Sequence, residues 1–107
     1  MYTWHLIITE ALGKFLDTLP YPQLAKVKSI FQLFSEFGPQ LPSKYLKRMS
    51  GTKELWELRA KNIRIFLVFS GNTAIAVHGI IKKTQKTPRQ DIETAVKRAM
   101  KAKEDIL

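Results

Sequence analysis

Residues 54–86, with the sequence ELWELRAKNIRIFLVFSGNTAIAVHGIIKKTQK, contain three consecutive β-strand patterns and end in a cluster of cations. Two of these patterns, Ile63 to Phe69 and Thr73 to Ile81, are rich in β-branched and aromatic residues. Gly71-Asn72 between them is the signal of a two-residue turn, which predicts a tight hairpin. The preceding pattern, Leu55 to Ala60, is predicted to fold onto the same sheet.

The hairpin turn also predicts which residues face each other across the strands. If the alternation runs without interruption, Phe66 lies opposite Val77 and Arg64 lies opposite Gly79. The preceding strand then brings Arg59 opposite Arg64. Since like charges opposite each other destabilise a sheet, the arginine pair predicts that an anion normally lies between them. The missing side chain at Gly79 would let a phosphate or sugar approach the backbone.

Strict alternation gives the predicted sheet two faces of different character. One face is charged, and it holds Glu57, Arg59, Arg64, Gly79 and, beyond the last strand, Lys83. The other face is the predicted core, lined by Trp56, Leu58, Ile65, Leu67, Phe69, Ala76 and His78. A histidine near two arginines is also a candidate acid or base, but this register favours a structural His78 in the core.

Size and composition indicate a folded protein rather than a disordered or membrane-spanning one. The length of 107 residues predicts one domain covering residues 1–107. There is no cysteine, so neither a disulfide nor a thiolate metal site is expected, and the two histidines do not suggest a metal site. The longest apolar run is far shorter than the roughly 20 residues that span a bilayer, and no signal-peptide pattern opens the sequence. We therefore expect a cytoplasmic protein without a metal, a cofactor or a membrane partner.

The remainder of the chain predicts another strand and three helices around the sheet. Tyr2 to Thr9 is predicted to form the first strand, and apolar residues at helical spacing predict a helix from Glu10 to Leu19. A second helix is predicted from Pro22 to Phe37, so the two form a helical hairpin. Residues 44–53 indicate either a frayed edge strand or a loop. Thr87-Pro88 is the start signal of a last helix, which packs on the body or, alternatively, binds RNA or a partner.

Positive charge is concentrated in the second half of the chain. Fifteen of the eighteen basic residues but only four of the nine acidic residues lie between positions 44 and 103, whereas residues 1–43 carry three of each. Such a local field attracts a polyanion and accelerates its encounter with the protein. A basic surface that only aids solubility is the alternative.

The cations are the candidates for chemistry, because glycine-rich phosphate loops, zinc-protease motifs and paired catalytic carboxylates are missing from the sequence. Cleavage of RNA by its own ribose 2′-hydroxyl needs no cofactor, since the nucleophile belongs to the substrate. Arginine forks suit the charge of the phosphorane, and a lysine among other cations suits proton transfer. The candidate residues are Arg59, Arg64, Lys82, Lys83, Gln85, Lys86 and Arg89. A binding patch without chemistry is the alternative.

Two segments, LWELRAKNIRIFLVF at residues 55–69 and VHGIIKKTQKTPRQDIETAVKRA at residues 77–99, closely resemble the RelE/HigB-like toxins of type II toxin–antitoxin modules, in particular the phage-derived branch. The resemblance implies an α+β fold, a small RelE-like domain. In that domain an antiparallel sheet carries an N-terminal helical hairpin on one face and an RNA-binding cleft on the other, with a C-terminal helix. Many members cleave messenger RNA in the ribosome, and an antitoxin encoded beside them neutralises them.

The resemblance also implies roles for individual residues. Arg64 matches the family's sheet arginine that contacts the scissile phosphate, Lys86 falls near its second cation, and Arg59 matches the arginine that ends the W-E-L-R strand. We therefore expect a metal-independent, ribosome-dependent endoribonuclease, or messenger-RNA interferase. Its expected catalytic residues are Arg59, Arg64, Lys83 and Lys86, and its expected RNA-binding residues are Lys47, Arg48, Lys53, Lys82, Gln85 and Arg89.

The chain departs from some relatives in its C-terminal segment. Those relatives carry a tyrosine or histidine there as a catalytic group, whereas Ile92 and its neighbours offer neither, so either lysines take over proton transfer or the activity is altered. The expected partners are a cognate helix-turn-helix antitoxin, messenger RNA and the ribosome. Two other functions stay open: a gyrase poison of the ParE type, which shares the fold, and a nucleic-acid-binding module without catalysis.

Overall fold

The structure is a computed structural model that describes residues 3–106. Its elements are β1 (His5–Ile8), α1 (Glu10–Asp17), α2 (Tyr21–Phe37), a 3-10 turn (Gly38–Gln40), β2 (Leu46–Arg48), β3 (Trp56–Ala60), β4 (Ile63–Ser70), β5 (Thr73–Ile81) and α3 (Arg89–Ile106). The predicted α+β fold is confirmed. The predicted start of the first strand at Tyr2 lies outside the described residues. None of the helices in the described part of the chain has the length and hydropathy needed to cross a lipid bilayer.

The strands form a five-stranded sheet in the order β1-β5-β4-β3-β2. Strands β2 to β5 pair antiparallel, as predicted, whereas β1 adds to the edge of β5 in the parallel direction. The segment at 44–53 contains both predicted alternatives, a three-residue edge strand and a loop. The sheet therefore has β1 at one edge and β2 at the other.

Helix α1 begins at a side-chain cap, and helix α2 ends at a glycine. Oγ1 of Thr9 accepts a hydrogen bond from the amide of Leu12 at 3.4 Å and donates one to the carbonyl of Ala76 at 2.9 Å, which joins the start of α1 to β5. Helix α2 ends at Gly38, whose φ of +55° favours glycine. A Cβ at Gly38 would lie 2.4 Å from the ring of Trp4, so no larger residue fits there.

Both faces of the sheet carry an apolar core, although the sequence predicted only one. Helices α1 and α2 cover the predicted core face, and the buried residues between them and the sheet include Leu12, Phe34, Leu58, Ile65 and Leu67. Helix α3 covers the second face, where Phe66, Val68, Ile75, Val77 and Ala95 are buried. The single-core prediction was wrong because α3 returns across β4 and β5.

The pairing of β4 with β5 contains a β-bulge that the sequence did not predict. Leu67 lies opposite Ala76, but Phe66 lies opposite His78, so that Val77 is an extra residue in β5. The predicted pairing of Phe66 with Val77 was therefore wrong, although the hairpin turn and the pairing beside it were correct.

The bulge reverses the orientation of every β5 residue that follows it. Arg64 lies opposite Ile80 rather than Gly79. His78 lies on the α3 side of the sheet, so its predicted place on the other core face was wrong. Gly79 turns towards α1, where an added Cβ would lie 2.4 Å from the ring of Phe15. The missing side chain at Gly79 thus permits the close approach of α1, and not the approach of a phosphate as predicted.

Candidate nucleic-acid interface

Glu57, Arg59 and Arg64 lie together on the α3 side of the sheet and form what we call the arginine cluster. Strand alternation places Glu57 and Arg59 on one face of β3, and the register places Arg64 directly opposite Arg59, as predicted. Nε of Arg59 donates to Oε1 of Glu57 at 2.7 Å, and Nε of Arg64 lies 3.6 Å from the same oxygen. One carboxylate oxygen thus faces two guanidinium groups.

Glu57 supplies the anion that the arginine pair requires. It is only 2% exposed, and it lies against both cations. The anion that the sequence predicts at the arginine pair is thus supplied by a carboxylate of the same chain. Two guanidinium groups against one carboxylate still leave the arginine cluster with a net positive charge.

Arg64 is the more firmly held of the two arginines. Its Nη1 donates to the carbonyl oxygens of Lys61 and Ile63, and its side chain is 15% exposed, against 30% for Arg59. Burial lowers the pKa of the Arg64 guanidinium from its usual value; Glu57 opposes this effect and Arg59 adds to it. Because arginine titrates so far above neutral pH, the group stays charged.

An open cleft of about 860 Å³ lies beside the arginine cluster, and we call it the main cleft. Its lining contains five cations and no carboxylate: Arg59, Lys61, Asn62, Arg64, Lys82, Lys83, Thr84 and Gln85. The amide of Lys82 donates to the carbonyl of Asn62 at 2.7 Å, which fixes the start of the loop from 82 to 88 against the turn between β3 and β4. The main cleft therefore collects positive charge from two strands, a turn and a loop.

A smaller groove of about 320 Å³, the side groove, adjoins the main cleft and shares three of its lining residues, Arg59, Lys82 and Gln85. The other residues of its lining are Lys47, Arg48, Met49, Ser50, Glu57, Lys86, Thr87 and Ile92. Because the two linings overlap, the surface is continuous from β2 to the loop after β5. A continuous basic surface of this kind is suited to the backbone of a nucleic acid.

The structure brings together eight of the ten predicted site residues. Arg59, Arg64, Lys82, Lys83 and Gln85 line the main cleft, and Lys47, Arg48 and Lys86 line the side groove. Lys53 lines neither, although its carbonyl accepts a hydrogen bond from Arg48 at 2.6 Å. Arg89 also lines neither; it is 92% exposed and pairs with Glu93 at 3.4 Å. Within residues 3–106, no three side chains that ligate metals come together.

A second polar chain, missed by the sequence analysis, joins α3 to β5. Nη1 of Arg98 donates to Nδ1 of His78 at 2.8 Å, and Nε2 of His78 lies 2.9 Å from Oδ1 of Asp91. Since arginine can only donate, Nδ1 accepts, and Nε2 therefore carries the proton and donates to Asp91. Both ring nitrogens are engaged, and the ring stacks on Phe66 with centroids 6.0 Å apart. The seven-residue spacing of Asp91 and Arg98, two helical turns, was the signal available in the sequence.

The fold defines a RelE-like protein. A chain in the crystal structure of the archaeal RelE-RelB complex from Pyrococcus horikoshii OT3 is similar with a TM-score of 0.64 and 15% identity, over 76% of this chain and 97% of that chain. A chain in the RelB-RelE antitoxin-toxin complex from Methanococcus jannaschii has a TM-score of 0.61 and 19% identity, over 77% of this chain and 99% of that chain. At these identities the similarity establishes the fold.

Sequence comparison identifies the family. The family described as Phage derived protein Gp49-like (DUF891) matches residues 14–100, and the chain belongs to that family. The predicted phage-derived family and the predicted RelE-like fold are thereby confirmed. A comparison with curated protein sequences gave no match.

Proposed function

We propose that this protein is the toxin of a type II toxin–antitoxin module and acts as a ribosome-dependent messenger-RNA endonuclease. The observation that carries this proposal is the pair of guanidinium groups of Arg59 and Arg64, held side by side at a cleft lined by five cations and no carboxylate. Phosphate contacts dominate the affinity of proteins for nucleic acids, so a cleft of this charge suits an RNA backbone. The RelE-like fold and the Gp49-like family support the proposal.

The proposed reaction is attack by the ribose 2′-hydroxyl on the adjacent phosphate. A bond forms from the 2′-oxygen to phosphorus, and the bond from phosphorus to the 5′-oxygen of the next nucleotide breaks, which gives a 2′,3′-cyclic phosphate and a 5′-hydroxyl. Arg59 and Arg64 bind the non-bridging oxygens as their charge grows. Lys83 and Lys86, both exposed, add charge or move the two protons, one from the 2′-hydroxyl and one to the 5′-oxygen.

The ribosome supplies the arrangement of the substrate in this proposal. The main cleft is open and holds no deep pocket for a base, so the protein alone fixes the phosphate better than it fixes the attacking hydroxyl. In-line attack depends on that alignment. Lys47, Arg48, Lys82 and Gln85 along the side groove and the main cleft would hold the neighbouring phosphates.

The proposed protein partner is a cognate antitoxin of the helix-turn-helix type. The two similar structures are complexes of RelE with RelB. A toxin that acts on ribosomes works in the cytoplasm, where a small antitoxin encoded beside it would neutralise it. Copurification with the product of the neighbouring gene is the direct check, and failure of the two proteins to associate would remove this part of the proposal.

Mapping of RNA ends after brief expression tests the proposed activity. We expect new ends inside coding regions, and in a purified assay we expect cleavage that depends on ribosomes. The double variant Lys83→Ala with Lys86→Ala should cleave less, because both side chains are exposed cations of the cleft and groove. Lys28→Ala, which removes one exposed cation from α2 on the other face of the sheet, is the control and should cleave as the unaltered protein does.

Two outcomes would replace this function with another. Gyrase-dependent DNA damage without loss of messenger RNA would indicate a gyrase poison of the ParE type. Steeply salt-dependent RNA binding without cleavage or toxicity would indicate a binding module.

A further inference from the structure

We infer that Glu57 is a positioning residue for the arginine cluster: it binds the inner edge of the Arg59 guanidinium group by a hydrogen bond and attracts that of Arg64, so that the free terminal nitrogens of both arginines face the main cleft. The orientation itself is a property of the free protein. Its consequence for catalysis rests on the proposed function.

The contacts of the two arginines carry the inference. Nε of Arg59 donates to Oε1 of Glu57 at 2.7 Å, whereas Nε of Arg64 lies 3.6 Å from the same oxygen, close enough for an ion pair but not for a hydrogen bond. Neither Nη atom of Arg59, nor Nη2 of Arg64, has a hydrogen-bond partner among residues 3–106. The bond through Nε fixes the plane of the Arg59 guanidinium group and leaves both of its terminal nitrogens available for a second, bidentate acceptor. Arg64 is attracted by the same carboxylate, and its Nη1 is fixed by the carbonyl oxygens of Lys61 and Ile63.

The burial of Glu57 makes this restraint stiff. The residue is 2% exposed and lies opposite the fully buried Phe66 across the β3–β4 pair. A carboxylate shielded from water interacts with its partners more strongly than an exposed one does. The stability of the fold alone does not account for a buried glutamate at this position, because a buried ion pair rarely stabilises a fold more than apolar residues of the same volume.

The negative charge of Glu57 also disfavours the binding of RNA. A positioning role and a structural role therefore predict different changes in RNA affinity when that charge is removed. Its negative charge lies in the lining of the side groove and lowers the positive potential that attracts phosphates. Removal of that charge should therefore strengthen RNA binding. Loss of the fixed guanidinium planes should at the same time slow the reaction, because catalysis depends on donors held in place before the charge develops.

The test compares three variants. Glu57→Gln removes the charge and keeps the size, whereas Glu57→Asp keeps the charge but is one methylene too short to reach both Nε atoms. Glu54→Gln makes the same chemical change at an exposed carboxylate that pairs with Lys103 at 3.0 Å, and it is the matched control. Each is measured for cleavage on saturating ribosomes, for affinity to RNA with a 2′-deoxy nucleotide at the cut site, and by nuclear magnetic resonance of the arginine Nε–H groups.

We expect Glu57→Gln to slow cleavage by about tenfold or more while its affinity for the uncleavable RNA stays equal or rises. Glu57→Asp should also slow cleavage, and Glu54→Gln should not. The Nε–H signal of Arg59, which donates to Glu57 in the unaltered protein, should move towards the free-arginine position in Glu57→Gln. Normal cleavage by Glu57→Gln, or Nε–H signals that do not change, would overturn the inference.

The resonance measurement keeps this inference apart from the proposed function. If the unaltered protein cleaves no RNA, the proposed function fails. The Nε–H signals then still decide whether Glu57 orients the arginines. If Glu57→Gln loses cleavage and RNA affinity together with its thermal stability, its role is structural and the inference is refuted.

Discussion

Replacement of Arg64 by alanine should abolish most of the activity while leaving a folded protein. The substitution removes one of two guanidinium groups from the main cleft and leaves Arg59 on Glu57 at 2.7 Å. Loss of one donor to the charge of a transition state costs about 100- to 1,000-fold in rate, or about 3–4 kcal/mol. We expect a loss of that size in cleavage on ribosomes, and with it a loss of growth inhibition.

The structural cost of the same substitution is smaller. The carbonyl oxygens of the exposed Lys61 and of the buried Ile63 lose a donor, and Glu57 loses the longer of its two ion pairs. Loss of these interactions should cost about 1–3 kcal/mol of unfolding free energy. That cost lies below the total stability of about 5–15 kcal/mol that is usual for a domain.

Single-turnover cleavage of messenger RNA on programmed ribosomes, beside a thermal melt and an antitoxin-binding assay, separates the two effects. Arg64→Lys should recover part of the rate, since it restores the charge without the bidentate fork. Lys28→Ala should match the unaltered protein in all three assays. If folded Arg64→Ala cleaves normally, or if its activity returns once its stability is restored by cooling, the assignment of Arg64 to the reaction is wrong.

Three further predictions concern Gly79 beside the bulge, the hydrogen bond that joins α3 to His78, and the side groove. Gly79→Ala places a methyl group 2.4 Å from the ring of Phe15, so it should lower the unfolding free energy by about 1–3 kcal/mol; an unchanged thermal melt would contradict the packing described for α1. Asp91→Asn replaces the charged acceptor of His78 at 2.9 Å and should lower the unfolding free energy by about 1 kcal/mol. Amide hydrogens in the first turns of α3 should then exchange faster, and unchanged exchange would refute the proposed link between α3 and β5. Lys86→Ala should reduce by about one the slope of log affinity for RNA against log salt, and an unchanged slope would remove Lys86 from the interface.

The hairpin could be predicted because its signals are local. Gly71-Asn72 determines where the chain turns, and the residues next to the turn pair as predicted, with Ser70 opposite Thr73. The pairing of Arg59 with Arg64 was correct for the same reason, since only a two-residue turn separates β3 from β4. Charge composition also indicated which part of the chain supplies the cations of the main cleft and the side groove, because most of the cations lie after residue 43.

The bulge at Val77 could not be predicted from the sequence. The assignment of alternate strand residues to opposite faces assumes a regular strand and contains no signal for an extra residue. Val77 is apolar and buried, as a regular strand residue would also be. A single extra residue reverses the faces of all that follow, which is why both His78 and Gly79 were assigned to the wrong side. The helix that covers this side, α3, made the error harder to detect, because it gives both faces a buried core.

The role of Glu57 was missed for a different reason. Alternation placed it correctly beside the arginines, but a glutamate on a charged face is usually solvated, and nothing in the sequence indicated that Glu57 would be only 2% exposed. The effect of Glu57 on the arginines depends on the distances of Nε of Arg59 and Nε of Arg64 from its Oε1. Those distances follow from the pairing of β3 with β4 and from the packing of side chains on that face of the sheet.

The end groups of the cleaved RNA test the central claim most directly. Purified protein is mixed with ribosomes on a defined messenger RNA, and the same RNA carries a single 2′-deoxy nucleotide at the cut site in a parallel reaction. We predict a 2′,3′-cyclic phosphate on one product and a 5′-hydroxyl on the other, with no cleavage of the 2′-deoxy RNA. A 5′-phosphate product, or equal cleavage of the 2′-deoxy RNA, would contradict attack by the ribose hydroxyl at the arginine cluster.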